Sequence, residues 1–534
     1  MIPSIREIFS NHPECQKTDV EGQLNDTDSA RQRASGMKPL GIITMCFPHV
    51  DDETRDILQS VMEAAENFGD FTERLCQKVS SDSTTMLAEY FACYFAAKIS
   101  NFNVLDTFEQ AGKIPALAEP LSLFLGIFKE RGQMVSWDEM KQSILRALKA
   151  APNDWIATHL YVKWRYFSEL FYRECDLDVK PIETLTKRVN ENRDLEYFKS
   201  YLLRIQGIKL AREANFQKSI EAHNQALVLA RKHDDQIMVA DQLLTLANFV
   251  KHTDLKRAID LLLSSKELSE RLNCRDTYGR VHHELGHIMG IRGELDAAIE
   301  YQLQYRQIQE ARSSSTAGLD SIIAFYYNYS GDGEKALEFA ETAIETMDSG
   351  LKLVSYAHAQ KAWALINLGR IEEAKYEVEQ SKRLAMKSGV VIYLIVSQIA
   401  EGILDKAENH YDSAVQAFEY VLRSLEQDPL PLWQNICLLN LVEIEIERLS
   451  KESIDTNTDS SGPWMERLDE HVEKTDLPGI AARSLILKAK LRQKQGRHDE
   501  VRGLLKEVMK AAGSPSMRYL KDIVMSSFPD VIVT

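Results

Sequence analysis

Proline and glycine are scarce in this chain, 14 and 24 among 534 residues. That scarcity argues against a turn-rich all-β fold and favours long helices. Long hydrophobic runs are missing too. The longest, Val390 to Val396, is far short of the ~20 residues a membrane span requires. The first residues, Met1-Ile-Pro-Ser-Ile-Arg, lack a basic region followed by an apolar stretch, so no signal peptide is expected. Seven cysteines are scattered at Cys15, Cys46, Cys76, Cys93, Cys175, Cys274 and Cys437, and none forms a Cys-x-x-Cys pair. This fits reduced thiols and a soluble, cytoplasmic protein that does not engage membranes. Excess positive charge is absent as well: the formal net charge is −16, with no run of five or six Lys/Arg. A surface of that sign repels phosphate backbones, which excludes nucleic acid as the main ligand. No G-x-x-x-x-G-K-[ST] loop is present to cradle a nucleotide.

What the chain does have is a recurrence. From Ser219, small residues return at Ala258, Ala298, Ala336, Ala374 and Ala414, spaced 39, 40, 38, 38 and 40 residues apart, and later Val501 takes the same role. Five positions before most of these anchors stands a turn former: Gly293, Gly331, Gly369, Asn409 and Gly496. Twelve before stands another residue, usually small: Gly207, Gly286, Ala324, Ala362, Gly402 and Ala489. The reading is one helical hairpin per ~40 residues, each stacked on the next. The small residue lets two helices approach, the turn former ends the first helix in a left-handed conformation, and the anchor sits where the second helix crosses. The expected fold class is all-α.

Domain boundaries follow from where this pattern holds. Residues 1–39 are too polar to offset ordering entropy and are expected to form a disordered tail. Residues 40–190 are expected to form an N-terminal, mainly helical domain. Within it, Gly41–Pro48 reads as an extended segment, and Asp51 or Asp52 caps a helix carrying Ile57, Leu58, Val61 and Met62. Further helices are expected at about 85–99, 114–131, 136–150 and 153–175. The array covers 194–523 with about eight hairpins, interrupted by a polar insertion at 451–462. Residues 524–534 are read as a C-terminal tail.

The pattern resembles the tetratricopeptide repeat family in its longer variety, with periods near 40. Leu285-Gly286…Gly293…Ala298 is its clearest instance, followed by Glu401-Gly402…Asn409…Ala414…Phe418. The early Trp of that family is absent from most repeats, and Leu246 stands where Gly or Ala is expected. The resemblance implies a right-handed α-solenoid whose concave groove, lined by the first helix of each pair, takes a peptide or a partner helix. On that geometry the groove carries Tyr201, Arg204, Arg280, His283, His287, Phe325, Asn328, Tyr329, Tyr356, Trp363 and Asn367. Aromatic, Arg, Asn and His side chains are the types that form binding hot spots.

One stretch looks catalytic: His283-Glu284-Leu285-Gly286-His287. Two His one helical turn apart could ligate zinc, with Glu284 activating a bound water. The third ligand of the longer zinc-protease signature would fall on Gly293, which has no side chain to coordinate. Leu285, Gly286 and Gly293 are already explained by the repeat. The expectation is therefore an interaction scaffold or regulatory adaptor binding a protein or peptide, with no enzyme activity, catalytic residue, metal or cofactor. A zinc-dependent hydrolase centred on His283, Glu284 and His287, and a small-molecule or signal sensor working through residues 40–190, stand as the alternatives.

Overall fold

Helix ends in this protein are set by the residues the recurrence marks. Gly293, Gly331, Gly369, Asn409 and Gly496 all adopt left-handed backbone, with φ of 75°, 96°, 74°, 64° and 75°. At each, the following amide bonds back into the preceding helix, as from Asp332 to Tyr327 O at 2.9 Å and from Arg370 to Leu365 O at 2.8 Å. The next helix often starts on a capping side chain: Asp332 accepts from the Lys335 amide at 3.1 Å, and Asp235 from the Met238 amide at 2.9 Å.

The computed structural model describes residues 50–66, 68–82, 148, 157–159, 161–162, 165, 180–191, 196–212, 215–251, 253–311, 316–347, 353–426, 430–449, 462–475, 477–529 and 531. The expected tail 1–39, the extended segment 41–48, most of the helices expected between 85 and 175, and nearly all of the 451–462 insertion lie outside them. Among the described residues the regular structure is helical, with no strand.

The helices follow one another as hairpins. α1 (Asp52–Ala64) and α2 (Phe68–Asp82) come first, with Asp51 capping α1 by accepting from the Thr54 amide at 2.6 Å. α3 (Lys180–Glu191) precedes the repeats. These pair as α4 (Glu196–Arg212) with α5 (Phe216–Lys232), α6 (Gln236–Val250) with α7 (Leu255–Arg271), and α8 (Arg275–Arg292) with α9 (Leu295–Glu310). They continue as α10 (Ala317–Ser330) with α11 (Gly333–Thr346), α12 (Val354–Asn367) with α13 (Ile371–Ser388), and α14 (Val391–Ala407) with α15 (Tyr411–Ser424). The degenerate repeat is α16 (Pro431–Arg448) with α17 (Pro463–Lys474), and the last full pair is α18 (Pro478–Lys494) with α19 (His498–Ala511). A 3-10 turn, Pro515–Met517, leads into α20 (Tyr519–Ser527), and Val524 and Phe528 are buried, so part of the expected tail is packed. This is the all-α architecture of stacked hairpins, with the turn and anchor positions of the tetratricopeptide pattern.

Packing within each hairpin obeys the same rule. Ala258, Ala298, Ala336, Ala374, Ala414 and Val501 are all buried. A Cβ at Gly207 would stand 2.5 Å from the His223 ring, and one at Gly402 would stand 3.0 Å from Phe418. Leu246, the departure from the pattern, is nevertheless buried in α6. The chain divides into two compact units at Val281/His282, inside α8. Unit 1 holds most residues before that point. Unit 2 holds most residues after it, with its core running from Ile291 to Phe528.

Candidate functional site

In unit 2, His283 and His287 lie one turn apart on α8, partly buried, with ring centroids 4.5 Å apart. Their Nε2 atoms face one another at 3.2 Å. His283 Nδ1 is 2.9 Å from Gln302 Oε1, and Gln302 Nε2 donates to the His283 carbonyl at 3.0 Å. His287 Nδ1 lies 3.0 Å from the Tyr326 hydroxyl. These partners assign one consistent direction: Tyr326 donates to His287 Nδ1, His287 Nε2–H donates to His283 Nε2, and His283 Nδ1–H donates to Gln302. Two glycines make room for it. A Cβ at Gly286 would meet the Gln302 amide at 2.5 Å, and one at Gly290 would collide with the Tyr326 ring. Among the described residues no three His, Cys, Asp or Glu side chains converge to hold a metal. The third ligand that a zinc protease needs is thus missing from the described residues around this pair.

The remaining expected groove residues of unit 2 come together in one aromatic cluster. Phe325 packs edge-on against Trp363 (centroids 6.0 Å apart), and Tyr329 lies 6.3 Å from Trp363. Asn328 donates to the Gln360 carbonyl at 2.8 Å, and Asn367, an exposed residue, donates to the Asn328 carbonyl at 3.2 Å. Phe325 is only 1% exposed, Tyr329 3%, Tyr356 8% and Trp363 9%. Their cover comes from the far end of the chain. Trp433 of α16 lies 5.0 Å from Phe325 and 6.4 Å from Tyr356. Arg483 of α18 sits over the Tyr329 ring at 4.5 Å and donates to its carbonyl at 3.3 Å.

A second set of contacts fixes this closure. Asn435 donates to the Ile291 carbonyl at 2.9 Å, and the Tyr519 hydroxyl donates to the Gly293 carbonyl at 2.8 Å. The Tyr519 amide donates to Asp296 at 2.9 Å. Gly479, at the start of α18, touches the Gly293 backbone closely enough that a Cβ would overlap its carbonyl oxygen. Burial raises the Tyr329 hydroxyl above the ordinary phenol range, with Arg483 opposing the shift. Further along unit 2, Glu443 sits 2.7 Å from Lys406 and 3.5 Å from Lys490. Burial alone would raise its carboxyl, but these two cations pull it down to about 2.

Unit 1 holds the other three expected groove residues, and two of them are buried. Tyr201 meets the Tyr197 hydroxyl at 3.1 Å, and Tyr197 donates to Asp235 at 2.8 Å. Arg204 donates to the Met238 sulfur at 3.0 Å. Arg280 is partly exposed, with Nη1 3.9 Å from Asp241.

The expected set therefore falls into three places: the His283–His287 pair, the aromatic cluster, and unit 1, where Tyr201 and Arg204 are buried and Arg280 is partly exposed. Gln302, Tyr326, Trp433, Asn435, Arg483 and Tyr519 lie outside the set expected from the sequence. Two of these had a usable signal, because Tyr326 follows His287 by 39 residues and Gln302 follows His283 by 19. Those intervals are one repeat and one half-repeat.

No protein-family profile matches the chain, and no curated protein matches its sequence. Among solved structures, a Rap protein complexed with competence and sporulation factor is similar at 14% identity, covering 83% of this chain and 99% of that one, with a TM-score of 0.29. Yeast Tom70 is similar at 11% identity over 89% of this chain and 94% of that one, TM-score 0.32. Naa15/Naa10 bound to HypK-THB is similar at 13% identity over 93% of each, TM-score 0.20. These matches are to helical-repeat proteins of the tetratricopeptide type. The fold described above rests on the chain's own helices and turns.

Proposed function

We propose that this protein is an interaction scaffold that takes up a peptide or a helix of a partner protein on the α10–α12 face of unit 2, in competition with its own C-terminal helices. Stacked hairpins present broad faces without any catalytic group, which is the property such arrays use for binding. The observation that carries the reading is the seating of Trp433 and Arg483 on Phe325 and Tyr329. It is a contact of the aromatic-and-arginine kind found at binding hot spots, made within the chain.

Peptides selected from a random displayed library on the full chain test this. They should bind the Arg483→Ala variant more tightly than wild type and should lose affinity for Trp363→Ala, with circular dichroism confirming that each variant is folded. Binders indifferent to both substitutions would remove the α10–α12 face from consideration.

A further inference from the structure

We infer that His283 and His287 form a two-ligand site for a divalent transition-metal ion of the zinc, copper or nickel class, a site that nothing in the scaffold reading requires. Zinc–nitrogen bonds of 2.0–2.1 Å place two ligand atoms on a tetrahedral ion about 3.3 Å apart. The two Nε2 atoms stand 3.2 Å apart, a separation that suits an ion between them as well as a shared hydrogen.

The surroundings are those of a prepared pair. Metal-binding imidazoles are held by a partner on the other ring nitrogen, which fixes the ring and its tautomer. Here both Nδ1 atoms have such a partner, Gln302 Oε1 for His283 and the Tyr326 hydroxyl for His287. The two glycines that admit these partners, Gly286 and Gly290, lie on the helix that carries the histidines. The repeat accounts for Gly286 but not for Gly290, whose bare face is what lets Tyr326 reach His287. Both histidines are partly exposed. On binding, the hydrogen between the Nε2 atoms gives way to the ion, and His287 carries its hydrogen on Nδ1, pointing at the Tyr326 oxygen. Imidazole nitrogen selects zinc, copper or nickel over calcium or magnesium. With two protein ligands, water fills the remaining positions.

Titration of the full metal-free chain with zinc chloride tests the site, with calcium chloride as the control. The chain carries 13 histidines, so the quantity to read is the difference between wild type and His283→Gln/His287→Gln. One zinc per chain should be lost in the double variant, calcium should not bind at the pair, and zinc should raise the melting temperature of wild type alone. Gln302→Ala keeps both ligands and removes only a positioning residue, so it should weaken binding at least tenfold. A copper-loaded sample should show two coordinated nitrogens by electron paramagnetic resonance. Equal zinc stoichiometry in wild type and the double variant, or zinc binding unmoved by Gln302→Ala, would overturn the assignment. Because none of these readouts involves a peptide, the result is independent of the scaffold reading.

Discussion

Gly293 and Gly479, far apart in sequence, meet backbone to backbone and bring the start of α18 against the turn between α8 and α9. Gly293 and Gly369 have nearly the same backbone, φ 75° and 74°, yet a Cβ at Gly369 would meet nothing within 4 Å. Alanine at either pays the left-handed strain of about 1–2 kcal/mol. Only Gly293→Ala adds a collision with backbone, worth a further ~1–3 kcal/mol. Equilibrium denaturation of the two variants should show that difference, and equal costs would mean that the contact is not held in solution.

Trp433 is the side chain through which α16 covers α10 and α12. Trp433→Ala should destabilise the protein by about 3–5 kcal/mol, as expected for truncating a buried aromatic. Tyr420, on α15 and half-exposed, provides the comparison: Tyr420→Ala should stay within about 0.5 kcal/mol of wild type. Urea unfolding followed by tryptophan fluorescence and by circular dichroism reads both, and a small cost at Trp433 would argue against its packing here.

His223 in unit 1 is buried, and burial, with the nearby Arg204 charge, lowers its pKa from the ordinary 6.5 to about 4, partly offset by the bond to Gln242 at 3.2 Å. The folded protein therefore keeps this ring neutral at pH values where the unfolded chain binds a proton. Stability from this group is fully present above about pH 6.5 and falls as pH drops toward 4, to a loss of about 3 kcal/mol. Below 4 both states are protonated and the loss stops growing. His223→Gln should flatten the denaturation midpoint across that window relative to wild type. An unchanged slope would show that the ring does not stay neutral.

The hairpin positions were legible because their physics is local. A left-handed turn admits few residue types, so Gly293, Gly331, Gly369, Asn409 and Gly496 stood out, and helix crossings admit only small ones, so the alanine anchors did too. The turns between repeats were less visible: Asp234 and Asn273 are left-handed at φ 52° and 51° and stand one 39-residue period apart, but Asp and Asn are common at many exposed positions and mark a turn less sharply than glycine does. The phase of α10 and α12 placed Phe325, Tyr329 and Trp363 on one face. What covers that face, Trp433 and Arg483, arrives from several repeats later, and a period describes only neighbours. The histidine motif was readable as a pair. Its organisation depended on Gln302 and Tyr326, whose roles appear only when the hairpins are stacked.

The central claim is that a partner and the C-terminal closure compete for one face of unit 2. Hydrogen exchange over residues 515–528, read by mass spectrometry with and without a saturating selected peptide, tests it most directly, since the Tyr519 amide is protected by Asp296 in the closed form. The account predicts faster exchange across this segment when the peptide is bound. Unchanged or slower exchange at saturation would contradict it.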